Sequence, residues 1–264
     1  MNRHTPLLAI AVIAMAGLAA CSEPTQAWKI VWQDEFDGAA GALPNVSNWR
    51  FDVGEDWGNA QLEYDTDRAS NASLDGAGHL VITARQESYN GRGYTSARIT
   101  TQGKREQRYG RFEARIKMPS GRGLWPAFWM LGANEDVVGW PQTGEIDVME
   151  YRGQEPTVIH GTLHGPGYSG IKAFTRRFEL QAARFDQDFH DFTVEWDEDQ
   201  VSWRVDGHLY HQIKRNYVPG DWVFDHPFYL ILNLAVGGGY VGPPDGSTTF
   251  PQTMVVDWVR VYGH

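Results

Sequence analysis

The sequence predicts an all-β protein, a β-sandwich of jelly-roll type made of two antiparallel sheets. Three observations carry this expectation. Apolar and polar residues alternate with period two in many short runs, and Gly, Pro, Asn and Asp separate those runs. Beyond the first twenty residues, no amphipathic helical pattern of four turns occurs.

The clearest run is Arg111-Phe112-Glu113-Ala114-Arg115-Ile116-Lys117-Met118, with apolar residues at every even position and charges at every odd one. Successive strand side chains point to opposite faces, so this pattern puts one face in a core and the other in water. Phe192, Val194 and Trp196 repeat it, as do Val201, Trp203 and Val205, and the acidic turn Asp197-Glu198-Asp199 between them predicts a hairpin. Further strands are expected at Leu80–Ala84, Tyr94–Thr101, Ala127–Leu131, Val158–Leu163, Phe228–Val236 and Met254–Tyr262.

The N-terminus reads differently. Arg3 and His4 precede an apolar run, Leu7 to Ala20, that is too short to span a bilayer and fits a secretory leader. Its end, Leu18-Ala19-Ala20-Cys21, resembles the lipobox of bacterial lipoproteins, in which the cysteine is lipidated and becomes the first mature residue. Cys21 is the chain's one cysteine, so it has no partner for an internal disulfide. The expected organisation is a lipoprotein signal peptide over 1–20, a short tether over 21–27 and a single domain over 28–264. About seven extended residues would hold the domain within roughly 25 Å of a membrane. The protein is therefore expected to be exported and anchored to the cell envelope through Cys21, at the outer membrane, or else secreted.

The 264 residues suit one sandwich domain, and a monomer is expected. A net charge of −10 argues against a grip on nucleic acid phosphates. Aromatics make up 13% of the chain, with eleven Trp, and flat aromatic faces are what sugar rings stack on.

Three acids fall within six residues: Glu145, Asp147 and Glu150. On a regular strand Glu145 and Asp147 share a face, whereas Glu150 points the other way. A one-residue bulge at Val148-Met149 returns Glu150 to that face, leaving Ile146 and one of the bulge pair to enter the core. Glu145 and Glu150 then stand about four strand steps, roughly 13 Å, apart at their Cα atoms. Two long side chains leaning inward approach the ~5–5.5 Å carboxyl gap of retaining glycosidases, with room only for Asp between them. Acids packed so closely cannot all ionise at neutral pH. Glu150 is assigned the proton as general acid/base, Glu145 the nucleophilic attack, and Asp147 the positioning of Glu145. A solvated acidic strand or a cation site would share the same spacing.

Gly144-Glu145-Ile146-Asp147-Val148-Met149-Glu150-Tyr151 resembles the signature of glycoside hydrolase family 16, in the bulged branch with laminarinases, agarases and carrageenases. Laminarinase-type members are also resembled at Trp32–Phe36, Trp57-Gly58-Asn59, Glu63-Tyr64, Trp125–Gly132, His160–Pro166, Leu232–Gly238 and Val256–Tyr262. The resemblance covers essentially residues 28 to 262 and implies a catalytic domain with its cleft on the concave face. It implies the same three roles for Glu145, Asp147 and Glu150, with no cofactor required for catalysis. It further implies sugar stacking on Trp125 and Trp129, and polar contacts from Asn59, Arg98 and His164. On the convex side it implies a structural calcium ion held by Asp257 and by backbone carbonyls near Glu35 and Gly78. Many such members carry Gly-Asn-Trp where this chain has Gly238-Gly239-Tyr240, so the cleft edge differs there.

The polysaccharide expected as substrate is a β-1,3-glucan. Mixed-linkage β-glucan, sulfated or galactose-based polysaccharides, transglycosylation, and a non-catalytic glucan-binding role stand as alternatives. Binders on this scaffold would have lost catalytic acids, and all three are present. Gly237–Gly242 fits G-x-G-x-x-G but leads into Pro243-Pro244 instead of a helix, so it predicts a rim loop and no phosphate cradle. His160 and His164 lie four apart on a strand without further ligands, which argues against zinc.

Overall fold

A computed structural model describes residues 27–263 together with Met1. The leader and Cys21 lie outside the described residues. The strands run in chain order as β1 (Lys29–Asp34), β2 (Arg50–Asp52), β3 (Gly54–Glu55), β4 (Glu63–Asp65), β5 (Ala72–Leu74), β6 (Leu80–Tyr89), β7 (Arg92–Ser96), β8 (Arg98–Thr100), β9 (Glu106–Gln107) and β10 (Gly110–Lys117). They continue as β11 (Leu124–Gly132), β12 (Glu145–Tyr151), β13 (Val158–His164), β14 (Phe174–Glu179), β15 (His190–Trp196), β16 (Gln200–Val205), β17 (His208–Lys214), β18 (Phe228–Val236) and β19 (Gln252–Gly263). A four-residue helix, α1 (Glu135–Val138), sits between β11 and β12.

Two sheets result. The outer sheet runs β17-β16-β15-β10-β19-β6-β7-β4-β3, and the cleft sheet runs β14-β13-β12-β11-β18-β8-β2. All the ladders are antiparallel except β4 with β7. The apolar faces of the alternating strands meet between the sheets: Phe112, Ala114, Ile116, Phe192, Val194 and Val205 come from the outer sheet, and Phe128, Met130, Ile146 and Leu232 from the cleft sheet. The predicted hairpin is β15–β16, with Trp196 opposite Val201.

Two expectations needed revision. Tyr94–Thr101 is not one strand: the chain changes sheets at the fully buried Ala97, so β7 pairs within the outer sheet and β8 within the cleft sheet. Glu113, on the face read as solvated, is buried, and Thr193 and Tyr262 donate to its carboxylate from the neighbouring strands.

Candidate active site

Strand β12 carries the three acids along the middle of the cleft sheet. Glu145 lies opposite Leu131 and His164, Asp147 opposite Trp129 and Thr162, and Glu150 opposite Ala127 and His160. From Asp147 to Glu150 the strand takes three steps while each neighbour takes two. One residue is thus extra, and the bulge lies at Val148-Met149 as the spacing required. Both members of the bulge pair are buried, where one had been expected to be.

A bulge disrupts the ladder, and here the Asp147 carbonyl takes its hydrogen bond from the opposite sheet. The Trp203 indole N–H on β16 donates to it at 2.8 Å. Gly161 on β13 makes room for this crossing: a Cβ there would come within 2.7 Å of the Trp203 ring and 2.4 Å of the Tyr210 hydroxyl. Gly144 has a similar role at the entry to β12. Its φ is +76°, and a Cβ would press on Val223, Phe224 and Phe228 at 3.0 Å.

Each glutamate receives one indole N–H. Trp140 donates to Glu145 Oε2 at 2.7 Å, and Trp125 donates to Glu150 Oε1 at 3.2 Å. The Thr162 hydroxyl adds a longer contact to Glu150 Oε2, at 3.4 Å. His164 Nε2 lies 3.1 Å from Asp147 Oδ2 and 3.8 Å from Glu145 Oε1. The Gly170 N–H donates to His164 Nδ1, which makes that nitrogen an acceptor and puts the ring proton on Nε2, facing the acids.

All three acids hold protons more tightly than ordinary carboxylates. Burial pushes Glu145 up to about 8, reinforced by the Asp147 charge and opposed by His164 and Trp140. Burial pushes Glu150 up to about 7, reinforced by the Glu145 charge and opposed by His164, Trp125 and Thr162. Asp147, whose side chain is 4% exposed, is raised well above the usual range by burial and by the Glu150 charge. Asp147 and Glu145 share a hydrogen bond, so the three acids carry fewer than three charges between them. Glu145 and Glu150 therefore both titrate near neutrality, as members of one coupled set.

The predicted binding residues line the same cleft. Trp57, Asn59, Arg98, Trp125, Trp129 and Asn233 wall a space that opens onto Glu145, Asp147 and Glu150. Arg98 does not point freely at the cleft. Asp52 pairs with its Nε at 3.1 Å, and its guanidinium carbon sits 4.8 Å from the Trp57 ring centre and 4.9 Å from that of Trp129. Both indole nitrogens are tied down, Trp57 to Asp65 Oδ2 and Trp129 to Asn233 Oδ1, each at 2.8 Å. Trp125 packs on Tyr240 with ring centres 4.9 Å apart, so the tyrosine at the altered loop buttresses a cleft aromatic. The glycine-rich loop forms a rim as expected, with Gly239 N–H donating to the Asn59 carbonyl.

Comparison with known proteins decides what this arrangement is. Residues 55–260 match the glycosyl hydrolases family 16. The chain belongs to glycoside hydrolase family 16. It is 41% identical to a β-glucanase from Rhodothermus marinus, over 99% of this chain and 95% of that protein. The laminarinase catalytic domain from Thermotoga maritima superposes with a TM-score of 0.86 at 47% identity, covering 90% of this chain and 99% of that one. An endo-β-1,3-glucanase from Pyrococcus furiosus gives 0.85 at 48% identity, covering 89% and 94%.

Family 16 hydrolases act without a cofactor. In this hydrolase the one group of His, Cys, Asp and Glu among the described residues that could hold a metal ion is Glu145, Asp147 and His164. The proton on His164 Nε2 points a donor, not a lone pair, at that space, so the group does not suit a metal. For the implied calcium, Gly78 fits beside oxygen donors: a Cβ built on it would lie 3.9 Å from both the Glu35 carbonyl and Asp37 Oδ1. The Glu35 carboxylate is engaged by Arg260 through two 2.8 Å bonds, which leaves its carbonyl as the donor. Asp257 Oδ2 pairs with Arg115 at 3.2 Å.

Sequence reasoning missed Trp140 and Thr162 as contacts of the acids and left Trp57 without a role. Trp140 had a signal, an aromatic before a proline five residues ahead of Glu145. Thr162 gave none, because only the β12–β13 register brings it to Glu150.

Proposed function

We propose that this protein hydrolyses β-1,3-glucan internally and with retention of anomeric configuration. The observation that carries the reading is the bulged strand β12, which puts Glu145 and Glu150 four ladder positions apart on one cleft face with Asp147 between them. At that spacing two glutamate side chains leaning inward can reach the ~5–5.5 Å gap of covalent catalysis, short of the ~6.5–9.5 Å that inversion requires. The laminarinase-type relatives supply the linkage.

In the first step Glu150 donates its proton to the glycosidic oxygen while Glu145 attacks the anomeric carbon. The C–O bond to the leaving chain breaks, and a glycosyl ester of Glu145 forms. In the second step Glu150 takes a proton from water as its oxygen attacks the same carbon, and the Glu145 carboxylate departs. Asp147 hydrogen-bonds Glu145 and positions it, with His164 Nε2 3.1 Å from Asp147 Oδ2 behind it. Trp125 and Trp129 offer ring faces to the sugar, and Arg98 braces Trp57 and Trp129 more than it binds substrate.

Product analysis on laminarin, lichenan and agarose with wild type and Glu145→Ser tests the assignment. Oligosaccharides from laminarin with wild type alone are expected; none from any polymer, or full activity in the variant, refutes it. Anomeric NMR is expected to show retention.

Cys21 is proposed as a lipid attachment site that keeps the enzyme at the cell envelope, tested by mass spectrometry of the mature N-terminus. Calcium is proposed as a structural ion at the Glu35 and Gly78 carbonyls and Asp257, outside the reaction. A lower unfolding temperature in chelator is its expected sign.

A further inference from the structure

Trp140 is 48% exposed, yet its one polar atom is committed to the active site, donating to Glu145 Oε2 at 2.7 Å. Its ring also leans on His164, with centres 5.9 Å apart. The loop that carries it is fastened at both ends. Gly139 N–H closes α1 on the Glu135 carbonyl, Thr143 N–H returns to Gly139, and Gly144 N–H returns to Pro141. The wholly buried Thr143 hydroxyl reaches the Gly132 carbonyl at the end of β11 at 2.9 Å. An indole on such a loop is held in place independently of substrate, which is what a positioning group needs.

We propose that Trp140 is a positioning residue for Glu145: its N–H pins Oε2 at the cleft rim and leaves Oε1 as the oxygen presented to the anomeric carbon. The proposal rests on the reading of Glu145 as nucleophile. A carboxylate with one oxygen pinned loses its side-chain rotation before the substrate arrives, so less ordering remains for the attack. The bond suits both steps. In the free enzyme the N–H stabilises the ionised carboxylate, and in the glycosyl ester Oε2 becomes the carbonyl oxygen and still accepts. Trp125 makes the matching bond to Glu150 Oε1, so each glutamate has one oxygen held by an indole N–H.

The test isolates the first step with a 2-deoxy-2-fluoro laminaribiosyl fluoride, whose leaving group needs no proton from Glu150. Mass spectrometry should place the label on Glu145 in wild type. Labelling elsewhere, or none, removes the nucleophile reading before any variant is compared, and the proposal falls with it. Trp140→Phe keeps the ring and deletes the donor. Its labelling rate is expected to fall about tenfold or more, and the acid limb of that rate to move up by about one pH unit. Affinity for a laminari-oligosaccharide, measured by calorimetry, and the unfolding midpoint should stay near wild type, because the exposed ring packs on little. An unchanged rate and pH profile would overturn the proposal. Loss of affinity in step with the rate would also overturn it, by making Trp140 a sugar platform instead.

Discussion

Glu145 and Glu150 face opposite demands in one buried cleft, since the first must lose its proton and the second must keep one. Both are raised by burial, Glu145 to about 8 and Glu150 to about 7, so both titrate close to neutrality. The signs set the profile: falling pH protonates Glu145 and stops its attack, whereas rising pH strips Glu150 and removes the acid. We therefore expect a bell-shaped dependence of kcat/KM on laminarin centred near neutral pH, with both limbs belonging to the coupled pair. A profile flat down to pH 4 would contradict it. Trp125→Phe probes the acid, since its N–H favours the ionised form of Glu150. Without that donor Glu150 holds its proton to higher pH, so the bell's centre moves upward. At this scale the sequence named the three acids, His164 and the cleft tryptophans correctly as neighbours. It could not give how tightly each acid holds its proton, because proton affinity depends on burial and on which carboxylate sits beside which, and neither is written in spacing.

The bulged strand depends on a hydrogen bond from the opposite sheet, from Trp203 to the Asp147 carbonyl. Trp203→Phe keeps the ring and deletes the N–H, leaving a buried carbonyl short of a donor. A loss of about 1–3 kcal/mol in urea unfolding is expected, together with reduced activity, because Asp147 is the residue whose backbone is released. Gly161→Ala should cost at least as much by forcing a methyl against Trp203 and Tyr210. The odd spacing from Asp147 to Glu150 revealed the bulge, and alternation revealed the long central strands. The edge strands β14 and β17 escaped notice: Phe174–Glu179 and His208–Lys214 are mostly polar and half-exposed, so hydrophobic periodicity has little to mark. The crossing at Ala97 was hidden for a different reason. A strand that passes between two sheets around one core keeps the same apolar pattern on both sides of the step.

For the whole molecule, the formal charge of −10 counts every carboxylate as ionised, and the fold does not allow that. Besides the cleft acids, Glu63 and Asp65 on β4 are buried with one oxygen each lacking a partner. Burial, with the Asp65 charge added, raises Glu63 well above its ordinary value, and burial raises Asp65 to about 7 despite the Trp57 hydrogen bond and the Arg98 charge. A folded state that binds these protons more tightly than the unfolded chain is stabilised at low pH. That stability declines as pH rises past the ordinary carboxylate value near 4, and for Asp65 it is fully lost above about 7. Asp65→Asn keeps an acceptor for the Trp57 N–H and cannot ionise. Relative to wild type, the variant should gain stability between about pH 4 and pH 7 and hold the gain above it, on the order of a few kcal/mol. Unfolding midpoints measured across that range test this. A difference that does not change with pH would mean that Asp65 ionises normally in the fold. Trp57, which Asp65 holds, lines the cleft, so the same variant reports whether this buried acid also shapes the glucan site. Unchanged KM for laminarin at pH 6, with the stability gain present, would confine Asp65 to the fold.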